Sequence, residues 1–333
     1  YFIIHKLGAW ETDLSLIRNF FSRGEFSQLP LVSEKSDQSW LLNEAGLALL
    51  NTGQPKEAEE HILTAVLRAI AAKDWINASG GYQNLADLQF RTGEIKKALE
   101  SAKRALKLGE KGRFYESIID SEAYRAQIHH LLGASKEAGK RFKEADEAER
   151  KAFGHRLSRL SGLFYAGFLI SIKRIEEVLE LTGQNLEVSK RNNWVTIILG
   201  CHRCLAAIER IKENHKRAGV HLEKALELAR KVGMPELEIE ALLEYGRLYL
   251  EKGEYKDAIN AGNEVLKICQ RTGFLLYEPD AEVILARAYL ARKDSNQAKT
   301  FANSAHLKAK KMGYKLAEND ASKVLKEIRS KMK

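Results

Sequence analysis

Proline is nearly missing from this sequence: 4 residues in 333. Three of them, Pro55, Pro235 and Pro279, stand where an apolar helical periodicity starts. A first helical turn tolerates proline because its missing N–H would have had no partner there. Such scarcity and placement argue for an all-helical chain. Cysteine is also rare. Cys201, Cys204 and Cys269 cannot make a disulfide framework, so a reducing, cytoplasmic setting is expected. No apolar run nears the roughly 18 residues of a membrane span, and Phe2-Ile3-Ile4 is too short for a secretion signal. The sequence lacks GxxxxGK[ST], HExxH, GxSxG and GxGxxG, and its carboxylates and histidines show no convergent pair. No catalytic residue, cofactor or metal is therefore expected. The chain opens on Tyr1 rather than methionine and reads as a piece of a longer protein or as one trimmed to its ordered part.

What the sequence does contain is a repeat. Ala58, Ala98, Ala138, Val178, Ala218, Ala258 and Ala298 recur every 40 residues without insertion or deletion. Twelve residues before each lies Gly46, Ala86, Ala126, Ala166, Ala206, Gly246 or Ala286. Seven residues after each lies Ala65, Ala105, Ala145, Asn185, Ala225, Val265 or Ala305. Small residues on separate helices let the backbones approach closely. Gly53, Gly93, Gly133 and Gly253 fall between the first two columns, and Asn193, Gly233, Gly273 and Gly313 fall after the third. These residue types accept the left-handed conformation of a helix stop. Each unit therefore reads as helix, short turn, helix, stop.

The pattern Leu242, Tyr245-Gly246, Tyr249, Gly253, Ala258 resembles the tetratricopeptide repeat family, as does Leu42, Ala45-Gly46, Gly53, Ala58, Ile62, Ala65. The family unit is about 34 residues, so a 40-residue unit implies longer helices. The expected fold is all-α, a right-handed αα-solenoid of about seven 40-residue TPR-like repeats with helical caps. Residues 1–38 form a lead-in helix around Trp10, Leu14, Ile17, Phe20 and Phe21, with a loop over 22–37. Residues 39–313 form the repeats, divided as 39–78, 79–118, 119–158, 159–198, 199–238, 239–278 and 279–313, and 314–333 a capping helix. A solenoid needs such caps because each unit packs only on its neighbours. The fourth unit departs most, with Lys173 for the turn glycine and Val178 for the alanine.

Other motifs have plain readings. Cys201-His202-Arg203-Cys204 lacks the second pair that a zinc site needs, and beside Ala206 its cysteines read as packed small residues. His129-His130 diverge on a helix and read as structural or groove histidines. Net charge is +9, with +8 in residues 291–333 alone. A solvated helix face accounts for that excess, so nucleic acid is not expected as a partner. The Lys96, Lys97, Lys103, Arg104 and Lys107 face of a second helix reads as the outer surface.

Binding then falls to the concave face, which the first helices line. Flanking the small column there are Trp40, Asn43, Gln83, Asp87, Gln127 and His130 in early units, and Arg203, Arg210, Arg247 and Arg287 in later ones. The four arginines either form a basic stripe for an acidic partner, carboxylate or phosphate, or pair with Glu209, Glu240, Glu244 and Asp280.

The stretch Leu7-Gly8-Ala9-Trp10-Glu11-Thr12-Asp13-Leu14, followed by Asn19-Phe20-Phe21, then by Trp40 to Leu47, Asp74-Trp75 and Tyr82 to Leu88, supports a more specific resemblance. It is similar to the C-terminal repeat region of bacterial NACHT/STAND-type signal-transduction NTPases, best over about residues 7–110. In that family an ATPase precedes the repeats, the repeats sense a protein trigger, and several members act in defence against phage. The resemblance implies a sensor that binds a protein or peptide in its groove and lacks a phosphate loop of its own. Alternative readings are a regulatory repeat region for an effector such as a caspase-like protease, and a basic nucleic-acid-binding scaffold.

Overall fold

The computed structural model describes residues 9–331, so the Phe2-Ile3-Ile4 and Leu7-Gly8 readings lie outside the described residues. A lead-in helix, α1 (Trp10–Arg18), precedes an irregular segment with a 3-10 turn at Ser22–Gly24 and one isolated bridge, Phe21 to Pro30. Helices then follow in pairs. They are α2 (Lys35–Asn51) with α3 (Pro55–Ala71), α4 (Trp75–Arg91) with α5 (Ile95–Gly112), and α6 (Tyr115–Leu131) with α7 (Ser135–Phe153). Next come α8 (Arg159–Ser171) with α9 (Ile175–Asn192), and α10 (Val195–Ile211) with α11 (His215–Val232). The last pairs are α12 (Pro235–Lys252) with α13 (Tyr255–Thr272), and α14 (Glu278–Ala291) with α15 (Ser295–Met312). A single helix, α16 (Lys315–Lys331), packs on α14 and α15. The loop expected over 22–37 ends early, since α2 begins at Lys35. Among the described residues there is no β-strand, and the all-α solenoid is what the repeat required.

The small columns are the contact surfaces. Ala58, Ala98, Ala138, Val178, Ala218, Ala258 and Ala298 are each 0% exposed, so the repeating residue faces a neighbouring helix rather than water. A Cβ placed at Gly46 would lie 2.5 Å from Ile62 Cγ1. At that position in α2 the absence of a side chain sets the distance to α3. The lysines and arginine at 96, 97, 103, 104 and 107 are exposed on the outer layer.

Helix length is metered by backbone conformation. A positive φ recurs at Gly53, Lys73, Gly93, Arg113, Gly133, Gly154, Lys173, Asn193, Glu213, Gly233, Gly253, Gly273, Lys293 and Gly313, close to every twentieth residue. Both the turn inside a pair and the stop after it thus use one left-handed residue. The repeat is twofold finer than the 40-residue spacing of side chains. Lys173, Glu213 and Lys293 adopt φ of 60°, 61° and 66° although they carry a Cβ. An L side chain in that conformation costs roughly 1–2 kcal/mol. Lys173→Gly and Lys293→Gly should therefore each raise stability, by about 1 kcal/mol or less once the extra freedom of an unfolded glycine is subtracted. Urea unfolding of the two variants and the parent checks this.

The fourth unit differs because its entry is irregular. The segment between α7 and α8 is clamped by buried carboxylates of α7: Asp146 accepts from the Leu157 N–H at 2.7 Å and Glu149 from the Ser158 hydroxyl at 2.6 Å. Asn185, where other units have Ala or Val, accepts from the Arg159 N–H at 2.9 Å and donates to its carbonyl at 3.0 Å. The polar substitution in the third column thus closes a loop that the regular units do not have.

The stack winds until its ends meet. Trp10 Nε1 donates to Met234 Sδ at 3.1 Å, and Arg91 of α4 pairs with Glu236 of α12 at 2.8 Å. The turn at Gly53 abuts Thr272, the turn at Gly93 abuts Met312, and Gly133 abuts Lys315. One continuous apolar core runs from Trp10 and Leu49 through Tyr124 to Phe274 and Ile284. The first three pairs therefore pack against the last ones, and the concave face closes into a channel rather than remaining an open groove.

Candidate binding channel

The channel is lined by the first helices and by the connections that lead into them. A cavity of about 340 Å³ lies along it. Its apolar walls include Phe90, Leu160, Leu163, Phe164, Leu243 and Leu276, and Tyr277 and Tyr314 supply hydroxyls. Phe164 meets Tyr124 edge to face at 5.1 Å and lies tilted against Phe90 at 6.1 Å, which fixes the aromatic wall. The charged lining is balanced, with Arg91, Arg203 and Arg247 facing Glu236, Glu240 and Asp280.

Most of these charges are already engaged. Arg203 lies 3.2 Å from Glu240. Arg210 contacts Glu244 and Glu251, each at 2.5 Å. Arg247 pairs with Glu244 at 3.1 Å and Asp280 at 3.2 Å, and Arg287 reaches Glu327 at 3.7 Å. The basic-stripe reading is thereby corrected in favour of pairing. Every arginine of the set has a carboxylate, mostly from the next unit, and an acidic partner loses its main support. Glu209 is the exception among the expected acids, since it accepts instead from Asn214 at 2.9 Å.

The early residues are tied up in the same way. Asn84 donates to Asn43 at 3.1 Å, and Gln83 donates to the Ser117 carbonyl at 3.0 Å. The Tyr124 hydroxyl donates to Asp87, which also pairs with Arg91. These bonds join first helices of successive units into a polar ladder. Trp40 stays 45% exposed on α2 and lines no part of the cavity, as is also true of Asn43, Gln83 and Asp87. Of the ten candidates the cavity gathers Gln127, His130, Arg203 and Arg247. Arg210, Arg247 and Arg287 surround a second hollow of about 360 Å³ with Glu251 and Asp320. A larger groove of about 900 Å³ runs along the seam between the ends of the stack and lies apart from both.

The sequence alone pointed neither to Arg91 and Glu236 nor to Tyr277 and Tyr314 as channel residues. Tyr277 and Tyr314 sit in connections between pairs, outside the small-column register, so spacing carried no signal for them. Tyr277 donates to Glu236 at 2.5 Å and Tyr314 to Asp280 at 2.9 Å.

Burial shapes the titration of the lining. Glu236 is pushed up to about 7 by burial, with the Arg91 guanidinium pulling it down and the Asp87 carboxylate pushing it up again. Asp280 is raised by burial against the pull of Arg247. His130 is pushed down to about 4 by burial alone. Its ring meets Phe168 edge-on at 5.3 Å, and its Nδ1 has no hydrogen-bond partner. The Nε of Arg203 likewise makes no hydrogen bond, although it lies 3.2 Å from Glu240 in an ion pair. Buried polar atoms without hydrogen bonds are costly, and with Arg91 Nε three of them belong to residues that line this cavity.

His130 also has a consequence for stability. Its folded pKa lies below the ordinary histidine value of 6.5, so the unfolded chain binds more protons in that interval. Stability from this group is complete above pH 6.5 and falls as pH drops toward 4. His130→Leu should flatten that part of the acid limb, read as melting temperature against pH between 4 and 7.

Two profiles of the tetratricopeptide repeat match the chain, one over residues 198–271 and one over residues 80–111. The protein is thus an all-α solenoid carrying tetratricopeptide repeats, a fold that serves as a protein-interaction scaffold. No curated protein matches it. Among solved structures it is similar to a Rap protein complexed with competence and sporulation factor. The identity is 12%, over 99% of this chain and 96% of that one, with a TM-score of 0.60. A chain of the APC/C hetero-tetramer Cut9–Hcn1 is 14% identical over 89% of this chain and 53% of its own, with a TM-score of 0.56. A STAND protein with a tetratricopeptide repeat sensor from Pyrococcus horikoshii is 19% identical over 93% of this chain, with a TM-score of 0.49. The present chain spans 52% of that protein's length. At these identities the likeness is one of fold. Among the described residues no helix is long and apolar enough to cross a membrane.

Proposed function

We propose that this chain is a protein-binding sensor whose ligand, a peptide or extended protein segment, occupies the inner channel. The observation that carries this reading is the pairing of an aromatic wall, Phe90 and Phe164, with buried nitrogens that make no hydrogen bond, Arg91 Nε, His130 Nδ1 and Arg203 Nε, around one cavity. An apolar pocket with a few convergent polar groups is the usual form of a binding site. A peptide satisfies both sides, since its carbonyls accept from Arg203 and its side chains fill the space between the rings. The fold neighbour Rap, bound to competence and sporulation factor, agrees in kind. Because the charged lining is paired and balanced, the ligand would gain most from apolar and aromatic side chains.

A displayed random-peptide library selected on the pure protein tests the channel. Enriched peptides should bind the parent and lose about tenfold or more in Kd, equal to about 1.4 kcal/mol, with Phe164→Ala. They should be unaffected by Lys103→Ala on the outer face. Peptides insensitive to Phe164 and to His130→Ala would contradict the assignment.

In the full protein the sensor would restrain an attached STAND-type ATPase until the ligand arrives, which requires different contacts in the two states. This part rests on the similarity of residues 7–110 to those NTPases. It predicts a phosphate loop encoded upstream of Tyr1; a coding sequence with none there would remove it.

A further inference from the structure

His202 of α10 and His221 of α11 stand apart from the channel and from every charge ladder. Their Nδ1 atoms are 3.0 Å apart, with ring centroids at 5.3 Å and planes inclined by 32°. Both residues are half-buried. Two neutral imidazoles can share one proton across such a gap. The same separation also suits a metal: an ion about 2.0–2.1 Å from both nitrogens would subtend roughly 91–97°. That is the cis angle of a square-planar or octahedral ion, smaller than a tetrahedral one, and tetragonal nitrogen sites favour Cu2+ or Ni2+.

We propose that His202 and His221 form a two-imidazole chelate for Cu2+ or Ni2+ that staples α10 to α11. Water would fill the remaining positions, because among the described residues no group of three or more His, Cys, Asp or Glu converges. Cys201 and Cys204 flank His202 in sequence but are fully buried in the core, away from the surface where the two rings meet. Ligation moves the shared Nδ1 proton to an Nε2, so both rings stay neutral and no net proton is released. Burial already holds His202 at about 4, aided by the charges of His221, Lys224 and Lys190. Burial lowers His221 too, against Glu209, which raises it. Lys190 and Lys224 oppose a divalent charge and Glu209 favours it, which points to moderate affinity. The assignment departs from the sequence reading, in which Cys201-His202-Arg203-Cys204 lacked a partner pair. The second histidine lies nineteen residues away on the other helix.

The test is titration of the untagged full chain with CuCl2 and NiCl2 by calorimetry, beside His202→Gln, His221→Gln and the control His306→Gln. One equivalent should bind and raise the melting temperature, as any ligand of the folded state does. Each site variant should weaken binding by at least the about 100-fold that even an outer-shell change can cost, and the control should not. Paramagnetic resonance of the Cu2+ complex should show coupling to two imidazole nitrogens, a readout independent of how the variants fold. Binding unchanged in His221→Gln, no binding by the parent, or coupling to fewer than two nitrogens would each overturn the proposal.

Discussion

Replacing Arg91 with alanine is expected to destabilise the protein by about 3–5 kcal/mol, the range for breaking a buried ion pair by removing one partner. Arg91 is 5% exposed and joins three elements. It pairs with Asp87 on its own helix and with Glu236 across the seam at 2.8 Å, and it donates to Asn51 at 3.0 Å on the preceding pair. Its guanidinium also lies 5.8 Å from the centre of the Phe274 ring. Truncation strands two carboxylates in a low-dielectric seam. Because burial already pushes Glu236 up to about 7, its stranded carboxylate can take up a proton, so the defect should be larger at pH 8 than at pH 5. The ends of the stack would also separate. Urea unfolding at both pH values measures the first effect and the radius of gyration the second. A combined replacement of Asp87, Arg91 and Glu236 by apolar residues of similar volume should recover much of the loss, as buried ion networks often allow. A loss below 1 kcal/mol at pH 8 would mean that the seam contact contributes little.

Gly162→Ala should cost about 1–3 kcal/mol, the usual penalty for overpacking, and more if the clamp around it opens. A Cβ there would meet the Leu157 carbonyl oxygen at 2.5 Å and Asn185 Nδ2 at 2.8 Å. The first of these is backbone and cannot rotate away. The change would push apart the segment that Asp146, Glu149 and Asn185 hold in place, at the start of the helix carrying Leu163 and Phe164. Peptide binding in the channel should therefore weaken together with stability. Gly183→Ala is the matched control: it lies in α9 with nothing within 4 Å of the added carbon. That substitution should stabilise by about 0.5–1 kcal/mol through helix propensity alone.

The two substitutions also separate what a sequence pattern specifies from what only packing does. The alanine and glycine columns specify helix contacts within a unit and between neighbours, because a fixed spacing in sequence becomes a fixed place in the stack. Gly53, Gly93 and Gly133 were readable as turns for the same reason. Lys173, Glu213 and Lys293 take the same left-handed conformation with no residue-type signal, since the packing of regular helices on both sides imposes it. The seam was not readable at all. It depends on how a small rotation per unit accumulates until Gly93 meets Met312, and no local pattern encodes that sum. The arginine stripe failed as a free basic surface for a related reason. Residues about 34 to 41 apart become neighbours in successive units, so Arg210 finds Glu244 and Glu251 before it finds a ligand. Gln127 and His130 remained at the channel because they lie on the inward face of α6 opposite Phe164 and Leu163.

Closure of the superhelix decides whether there is a channel, and amine cross-linking addresses it most directly. Lys56, Lys96 and Lys97 border the same seam groove as Lys311, more than 200 residues away in the chain. A short lysine-reactive reagent on the monomer, read by mass spectrometry, should join Lys311 to Lys96 or Lys97 as readily as it joins lysines within one helix pair. An extended solenoid holds those side chains far apart. Cross-links confined to neighbouring pairs, with none from Lys311 to the early turns, would contradict the closed winding and with it the channel.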